Sequence, residues 1–442
     1  MAEMISDIIA ADDTISADDT FIEPVAGAEL GSGRRLRIAH VQLLPLLSGV
    51  QRVSLEEFAL LDPEIYERTL ICREPGPLSE AMGEMGVPCL FCPSLTRSIA
   101  PRHDLAALSA LVRMMRRGQF DVVHTHSSKP GILGRIAARI AGVPAIVHTV
   151  HGFAFPGTKS RFRRHLFVSL ERLGGRCCDA IVCLNDADRR LAADDLAVPS
   201  DRVHVIANGV DLGRFPPIRR DERARIRREV LGLPADDPAV VMVGRLWRQK
   251  DPLTFVKAAV SLLADGFKAH FVLIGDGDLR IPIEEFIHAH HAEGRIHLLG
   301  WRDDIPKLLP AFDIFALPSL WEGMPLAILE ALACRLPCVV SDIPGNRDLI
   351  DDGVNGLLFP CGDVEMLATN LGKLLLDHQQ RASFGRAGRE KVEQYHDLTE
   401  RTNEVQMLYI DLLTRKLSSK KRSEYHILAD EHRLQRLRNQ PR

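Results

Sequence analysis

The chain of 442 residues has a formal net charge of −3, with 46% hydrophobic and 26% charged residues. This composition is typical of a soluble globular protein and excludes a fibrous or largely disordered one, and the length predicts more than one domain. The sequence has no run of about 18 uncharged apolar residues, so we expect no membrane-spanning helix.

The two ends of the chain differ in charge from the rest. Residues 1–33 carry eight acidic residues and no Lys or Arg, which predicts a disordered acidic tail. Residues 415–442 carry nine basic and three acidic residues. We favour a solvated helix there over contact with anionic lipid or phosphate. The acidic start lacks the basic and apolar segments of a secretion signal, so we expect a cytoplasmic protein.

Short apolar runs alternate with longer helix-period segments in two successive series. The first series predicts strands at 36–42, 67–73, 87–93, 120–126, 145–151, 180–185 and 203–208. The second series predicts strands at 239–244, 270–275, 295–300, 313–319, 337–342 and 356–360. Strands that are apolar on both faces, with helices between them, indicate parallel sheets covered on each side. The predicted fold class is therefore α/β, with two doubly wound, Rossmann-like domains.

The domain organisation follows from these two series and from the composition between them. The predicted order is an acidic tail at 1–33, a first domain at 34–207, a linker at 208–238, a second domain at 239–395, and a helical segment with a basic tail at 396–442. The linker is rich in Pro, Gly and charge. Because ligands of such sheets bind beyond the carboxyl ends of the strands, we expect the domains to face each other across a cleft.

Histidines stand at the ends of two predicted strands of the first domain. His124 and His126 end one strand, and His148 and His151 end or follow the next. We considered metal ligation by His124 and His126 and favour an acceptor-side or structural role, because no cluster of acidic residues lies near them in the sequence.

The segment "KSRFRRHLFVSLERL" (159–173) is basic at its start and apolar at helical spacing afterwards. Two interpretations remain open for it. One is a helix that packs on the core and exposes a solvated face, and the other is docking of this helix on a membrane surface.

Two cations follow a strand of the second domain. Arg245 and Lys250 stand just after Gly244 at the end of the run "AVVMVG". A planar guanidinium and a point-charge ammonium there can neutralise a diphosphate. Further along, Asp276 and Asp278 in "GDGDLR" are interpreted as a turn and a helix cap near the same ligand, not as a metal-binding pair.

The stretch "EGMPLAILEA" (322–331) carries two acids where packing alone would favour apolar residues. Gly323 allows a close approach to the backbone, and the amides of a helix start after Pro325 would hold an anion. Glu330 lies about 12 Å along the helix from Glu322. That separation exceeds the roughly 5–10 Å between the carboxyl groups of a glycosidase. We therefore expect the two acids to contact different parts of one long ligand, such as a nucleotide sugar.

These motifs occur together in one known family. The stretches are "SGVQRV" (48–53), "FDVVHTHSSKPGILGRIAARIAGVP" (120–144), "HTVHGF" (148–153), "ANGVD" (207–211), "GRLWRQKD" (244–251), "LIGDGDLR" (273–280) and "EGMPLAILEA" (322–331). In this order, over roughly residues 35–395, the sequence resembles glycosyltransferase family 4 (glycosyl transferases group 1). The resemblance implies the two-domain GT-B fold, and it is to bacterial enzymes that build exopolysaccharide, capsule or lipopolysaccharide.

The resemblance also implies roles for particular residues. Arg245 and Lys250 would bind the diphosphate of the donor, Glu330 the ribose, and Glu322 a hydroxyl of the transferred sugar. His151 would reach the reacting sugar. The implied catalytic residues are thus His151, Glu322, Arg245 and Lys250. The implied donor-binding residues are Gly49, Gly244, Arg245, Lys250, Gly323, Met324 and Glu330. The acceptor-side candidates are His124, His126 and Lys129. Ser48 stands before Gly49 where the family often has a second glycine.

The implied reaction is a retaining, metal-independent transfer from a nucleotide diphosphate sugar, with UDP the more common base, to a hydroxyl of a glycan or polyprenyl-linked acceptor. No cofactor beyond the donor and no nucleic acid partner are expected. Peripheral contact with an anionic membrane, at the inner face of the cell membrane, stays an open alternative. Two alternatives are a sugar-nucleotide epimerase or hydrolase, which would need a further acid/base set, and a silent scaffold, which would have no need to keep the two acids and two cations.

Overall fold

The computed structural model of the protein describes residues 34–96, 100–153, 155 and 160–418. The predicted acidic tail at 1–33 and most of the predicted basic tail lie outside these residues. Within them, two parallel sheets form, and helices cover both faces of each sheet.

The first sheet has seven strands in the order β3-β2-β1-β4-β5-β6-β7. Its strands are Leu36–Val41 (β1), Tyr66–Cys72 (β2), Cys89–Phe91 (β3), Val122–His126 (β4), Ala145–Val150 (β5), Ala180–Cys183 (β6) and Val203–Val205 (β7). Its helices are Gly49–Leu60 (α1), Pro77–Glu84 (α2), Pro101–Gly118 (α3), Ser128–Ala141 (α4), Arg161–Cys177 (α5) and Asp186–Asp194 (α6), followed by a short 3-10 turn at Ser200–Arg202.

The second sheet has six strands in the order β10-β9-β8-β11-β12-β13. They are Ala239–Val243 (β8), His270–Ile274 (β9), Ile296–Leu298 (β10), Ile314–Leu317 (β11), Cys338–Ser341 (β12) and Gly356–Phe359 (β13). The later helices are Arg220–Glu229 (α7), Pro252–Ala264 (α8), Arg280–Ala289 (α9), Ile305–Leu308 (α10), Leu326–Ala333 (α11), Pro344–Arg347 (α12), Val364–Leu376 (α13), His378–Tyr395 (α14) and Leu398–Lys416 (α15), with a 3-10 turn at Leu309–Ala311.

The predicted fold class is confirmed, and each predicted strand is present. All are shorter than predicted except β2, which keeps its length and begins one residue earlier. The strand order reverses beside β1 in the first sheet and beside β8 in the second, because β1 lies between β2 and β4, and β8 between β9 and β11. In open parallel sheets this reversal opens a crevice at the carboxyl ends of the strands. Both sheets therefore offer a binding edge at the place where the predicted site residues lie.

Alternation along the strands divides the first domain into two cores. Ala39 and Val41 of β1 belong to one cluster of buried side chains, whereas Leu36 and Ile38 belong to another. Successive strand residues point to opposite faces of a sheet. A strand with apolar residues on both faces therefore contributes side chains to the hydrophobic cores on both sides of the sheet. This is the physical reason why the predicted strands are continuous apolar runs.

The segment 208–238, predicted as a linker, contains α7. Arg223 and Arg227 of this helix form ion pairs with Asp313, just before β11, and the Nε of Arg227 donates to the carbonyl of Ala311 at 2.7 Å. This helix of the segment is therefore attached to the second domain.

The last helix, α15, returns to the first domain. Its residues Leu408, Tyr409 and Leu413 are buried in the core that contains Leu36 and Ile38. In the part of the chain that the structure describes, no helix is long and apolar enough to cross a bilayer.

Because α15 packs in the core of the first domain, shortening one of its buried side chains should lower the stability of the protein strongly. Leu413→Ala should lower the free energy of unfolding by about 2–5 kcal/mol, because the side chain is 0% exposed and its loss leaves a cavity. Leu376→Ala is the matched control, since Leu376 is 78% exposed and its truncation should change stability by less than about 0.5 kcal/mol. Chemical denaturation measures both, and equal stabilities would contradict the packing of α15 on the first domain.

Candidate functional site

A cavity of about 1160 Å³ lies between the two domains at the carboxyl ends of their strands. The predicted catalytic and donor-binding residues all line it: Gly49, His151, Gly244, Arg245, Lys250, Glu322, Gly323, Met324 and Glu330. These residues come from both domains and are far apart in the sequence. Their meeting at one cavity is a property of the fold that no single motif establishes, and their individual roles stay predictions.

Lys250 and Glu322 form a direct ion pair in this cavity. The Nζ of Lys250 lies 2.5 Å from Oε1 of Glu322, and the Ser319 hydroxyl donates to the same oxygen at 2.6 Å. Gln249 donates to the other carboxylate oxygen at 3.4 Å and to the Trp321 carbonyl at 3.0 Å. This ion pair thus links the loop after β8 to the loop after β11. It also holds Lys250 where a ligand bound beside Glu322 would contact its ammonium group.

Arg245 also borders the cavity, and its guanidinium carbon lies 4.4 Å from the ring centroid of Trp247. Stacking on an indole face stabilises a guanidinium and holds its plane in one orientation. The two predicted cations therefore lie at the same cavity and not on opposite faces of the second domain.

The loop before α11 lies directly against the backbone of the first domain. A Cβ atom added to Gly323 would lie 2.8 Å from the carbonyl carbon of His151 and 2.9 Å from the nitrogen of Gly152. The sequence predicted that Gly323 admits a ligand, and in the structure the backbone of the first domain makes the close approach. The helix begins at Leu326, one residue after Pro325.

Two asparagines of the first half of the chain bind this loop. Asn185 donates from Nδ2 to the carbonyl of Gly323 at 2.8 Å, and Asn208 donates from Nδ2 to the carbonyl of Met324 at 2.9 Å. Both asparagines are buried. Amide side chains that satisfy buried carbonyls fix the loop, so the orientation of Gly323 and Met324 is set from the opposite domain.

Glu330 is bound across the cleft. The guanidinium of Arg52, on α1, donates to its Oε1 at 2.7 Å. Burial raises the pKa of Glu330, and the nearby charges of Arg52 and Arg214 oppose that rise. Glu56 lies in the same group, with Arg214 at 3.9 Å from its carboxylate. Glu330, predicted to bind ribose, therefore has a positively charged partner from the first domain.

His151 borders the cavity and is hydrogen-bonded to another histidine behind it. Its Nε2 lies 3.2 Å from Nδ1 of His126. Burial, and secondarily the charge of Arg401, lowers the pKa of His151 to about 3, and burial also lowers the pKa of His126 well below its usual value. Both rings are therefore neutral near pH 7, so one donates to the other and each keeps one nitrogen for another partner.

The acceptor-side candidates occupy different places. Lys129 lines the cavity, and its ammonium lies 2.5 Å from Asp104. His126 is buried behind His151. His124 is 0% exposed and uses both ring nitrogens, with Tyr409 at 2.5 Å and Thr149 at 2.7 Å. The structure therefore does not place His124 at the cavity, and packing against the last helix accounts for it.

The buried histidines also form the one group in the described part of the chain with metal-ligand spacing. Candidate ligand atoms of His40, Glu57, His124 and His126 lie within 4.8 Å of one another. However, Arg401 already lies 3.0 Å from the Glu57 carboxylate, and its charge opposes a dication at this place. Since His124 also uses both of its nitrogens, these residues fit a buried polar cluster with an internal ion pair better than a metal centre.

Each half of the chain matches a glycosyltransferase family model. Residues 47–214 match the model described as Glycosyltransferase Family 4, and residues 224–391 match the model described as Glycosyl transferases group 1. The UDP-Gal:alpha-D-GlcNAc-diphosphoundecaprenol alpha-1,3-galactosyltransferase of Escherichia coli is 41% identical over 385 residues, which cover 86% of this chain and 98% of that protein. An N,N'-diacetylbacillosaminyl-diphospho-undecaprenol alpha-1,3-N-acetylgalactosaminyltransferase of Campylobacter jejuni is 27% identical over 72% of this chain and 85% of that protein.

Solved structures share the architecture. Anabaena Alr3699/HepE, in complex with UDP and glucose, superposes with a TM-score of 0.74 at 20% identity, over 85% of this chain and 99% of that one. WaaG, a glycosyltransferase involved in lipopolysaccharide biosynthesis, superposes with a TM-score of 0.69 at 15% identity, over 84% of this chain and 99% of that one. The fold is that of the two-domain GT-B glycosyltransferases. With the matches in sequence, the chain belongs to glycosyltransferase family 4, which confirms the predicted resemblance.

Several residues of the cleft were not singled out from the sequence. Arg52 and Asn208 lie inside the matched stretches "SGVQRV" and "ANGVD", so a signal was present, although neither residue type indicates its partner. Asn185 stands at the end of a predicted strand, which is the same positional signal that pointed to Arg245. Their functions depend on the opposite domain, and local sequence carries no information about that contact.

Glu56 predicts a dependence of stability on pH. Burial, and then the nearby Glu330, raises its pKa from the usual 4.5 to about 7, against the opposing charges of Arg52 and Arg214. The folded state thus binds this proton more tightly than the unfolded state, so Glu56 costs stability progressively as pH rises from about 4.5 to about 7. Glu56→Gln should therefore become more stable relative to the wild type across that window.

Thermal or chemical unfolding at several pH values measures this difference. Leu376→Ala, which removes no titrating group, is the control and should keep a constant offset from the wild type. An equally constant offset for Glu56→Gln between pH 5 and 7 would refute the raised pKa of Glu56.

Proposed function

We propose that this protein is a retaining glycosyltransferase that moves a sugar from a UDP-sugar to a hydroxyl of a polyprenyl diphosphate-linked glycan in the synthesis of a cell-surface polysaccharide. Support comes from the names of the relatives. The E. coli protein uses UDP-Gal and a diphosphoundecaprenol-linked acceptor, and the C. jejuni protein acts on a diphospho-undecaprenol-linked sugar. UDP-galactose is therefore the first donor to test.

One observation of the structure carries most of this proposal. Arg245 and Lys250 line the same cavity as His151, although the cations come from the second domain and the histidine from the first. A diphosphate between Arg245, Lys250 and the start of α11 would place the sugar beside Glu322 and His151 and the ribose beside Glu330. Arg52 would then share Glu330 with the ribose, which couples donor binding to the position of α1.

The proposed reaction breaks the bond between the anomeric carbon and the diphosphate oxygen and forms a bond from that carbon to the acceptor oxygen on the same face. The departing diphosphate takes the proton of the acceptor hydroxyl. Negative charge grows on the diphosphate as its bond breaks, so Arg245, Lys250 and the amides of the helix start stabilise the transition state more than the bound donor. Neutral His151 acts as a hydrogen-bond partner of the sugar.

A transfer assay tests the function directly. The purified protein is incubated with UDP-galactose and α-GlcNAc-diphosphoundecaprenol in detergent, and the linkage of the product is determined by NMR. An α-linked disaccharide supports a retaining transferase. A β-linked product would refute retention, and release of free sugar or of an epimerised donor without acceptor would favour the rival epimerase or hydrolase.

The lysine variant tests the donor site in the same assay. Lys250→Ala should weaken UDP binding about 10–100-fold, because a hydrogen bond to a charged group contributes about 1.5–3 kcal/mol. Turnover should also fall, since the charge is felt in the transition state. Lys257→Ala, an exposed lysine on α8, is the matched control and should behave as wild type. Equal UDP affinity in Lys250→Ala would remove Lys250 from the diphosphate site.

We also propose that the start of α5 brings the cleft to the membrane. Arg161, Arg163 and Arg164 are exposed there, and Phe162 is 79% exposed among them. Basic side chains around an exposed aromatic residue are typical of a helix that lies on an anionic bilayer. Lys159, which belongs to the predicted segment, lies outside the residues that the structure describes.

Flotation with phosphatidylglycerol-containing vesicles tests this contact. Replacing Arg161, Arg163 and Arg164 by Ala should reduce binding by about tenfold or more, because each cation contributes near an anionic surface. The control replaces three exposed arginines at α7, Arg219, Arg220 and Arg228, and should leave binding as in the wild type. Equal binding of both triple variants would reject the proposed role of α5.

A further inference from the structure

The first domain contributes an apolar wall to the cavity that also holds the polar donor residues. Ile132 and Ile136 of α4 and Phe167 and Leu170 of α5 line this wall. Glu171 also lines it, but its carboxylate accepts from buried Arg135 at 2.7 Å, so its charge is matched. A nucleotide sugar is polar along its whole length and gains little from such a wall.

Part of this wall is not needed by the hydrophobic cores. Phe167 packs against the core beneath it. Ile132, Ile136 and Leu170, by contrast, are half-buried and belong to none of the three clusters found in the described residues. Apolar side chains that line a cavity without supporting a core are typical of a binding surface.

The wall continues along α5 to the outer surface. Leu170, Leu166 and Phe162 follow one another at a spacing of four residues, so they form one stripe about 12 Å long on the helix. Exposure increases along it, from half-buried Leu170 to Leu166 at 38% and Phe162 at 79%. The stripe thus leads from the interior of the cleft to the end of α5 that carries the three exposed arginines.

We propose that the wall and the three-residue stripe together bind the isoprenoid chain of the acceptor next to its diphosphate. We call all six side chains the apolar stripe: Ile132, Ile136, Phe162, Leu166, Phe167 and Leu170. This inference rests on the proposed function, which supplies a polyprenyl-linked acceptor. It assigns the site that holds the lipid, whereas the arginines around it concern only the membrane surface.

The geometry selects a long hydrocarbon as the occupant. The acceptor sugar must lie near His151 and Gly323 to meet the donor, and a lipid-linked acceptor must also reach a bilayer. A chain that leaves the cleft along α4 and α5 meets both requirements and buries apolar surface throughout. An acceptor made only of sugar would leave the stripe in contact with water. The start of α4, where Ser127 and Ser128 line the cavity, lies at the inner end of the path.

Farnesyl diphosphate is a soluble probe of this site. Its binding to the full-length protein is measured by calorimetry in the presence of saturating UDP, which occupies the donor diphosphate position. We expect farnesyl diphosphate to bind at least about tenfold more tightly than inorganic diphosphate, which lacks the hydrocarbon. The double variant Ile136→Ser, Leu170→Ser should weaken farnesyl diphosphate binding by about tenfold and leave the UDP affinity unchanged.

Two further variants keep the test sharp. Ile281→Ser replaces an exposed apolar residue on α9, outside the cavity, and should bind the probe as wild type does. Phe162→Ser, at the exposed end of the stripe, cannot disturb the core and should weaken binding by a smaller factor than the double variant. Retained UDP binding shows that each variant is folded.

The outcomes separate this inference from the proposed function. Equal probe affinity in the wild type and both stripe variants, or displacement of the probe by UDP, would overturn the lipid site even if sugar transfer is observed. Stripe-dependent binding of farnesyl diphosphate, without transfer from any nucleotide sugar, would support the lipid site and count against the proposed reaction.

Discussion

The structure depends on the contact between the loop before α11 and the first domain. Gly323 meets the backbone of His151 and Gly152 so closely that a Cβ atom there would overlap with it, and two buried asparagines bind the carbonyls of the same loop. This loop carries Glu322 and opens the helix that carries Glu330. A single interdomain contact therefore positions both acids of the cleft relative to the histidine of the opposite domain.

Charges in the cleft are arranged as opposed pairs. Glu322 is matched by Lys250 within the second domain, whereas Glu330 is matched by Arg52 from the first. The first pair keeps its geometry whatever the distance between the domains, and the second pair exists only when they approach. The Arg52–Glu330 pair therefore adds attraction only to the arrangement in which the two domains approach.

The strands and the edge of the sheets that carries the site could be predicted from the sequence, and the contacts across the cleft could not. Strands buried on both faces appear in the sequence as continuous apolar runs. Polar residues directly after them indicate the edge of the sheet where ligands bind. Arg52 and Asn208 act on residues that are more than a hundred positions away, and His124 packs against Tyr409 of the last helix. Such pairings arise from the docking of domains, so a pattern of local spacing places His124 at a strand end but cannot show that α15 covers it.

The last helix supports the buried histidines that lie behind His151. His40 and His124 pair in register on β1 and β4, and the Tyr409 hydroxyl lies within hydrogen-bond distance of both rings. His126 stacks on His124 and hydrogen-bonds His151. Because α15 packs in the same core as β1, it fixes the Tyr409 hydroxyl beneath the rings of His40 and His124. The orientation of His151 is thus supported from behind by a row of buried rings that ends at the last helix.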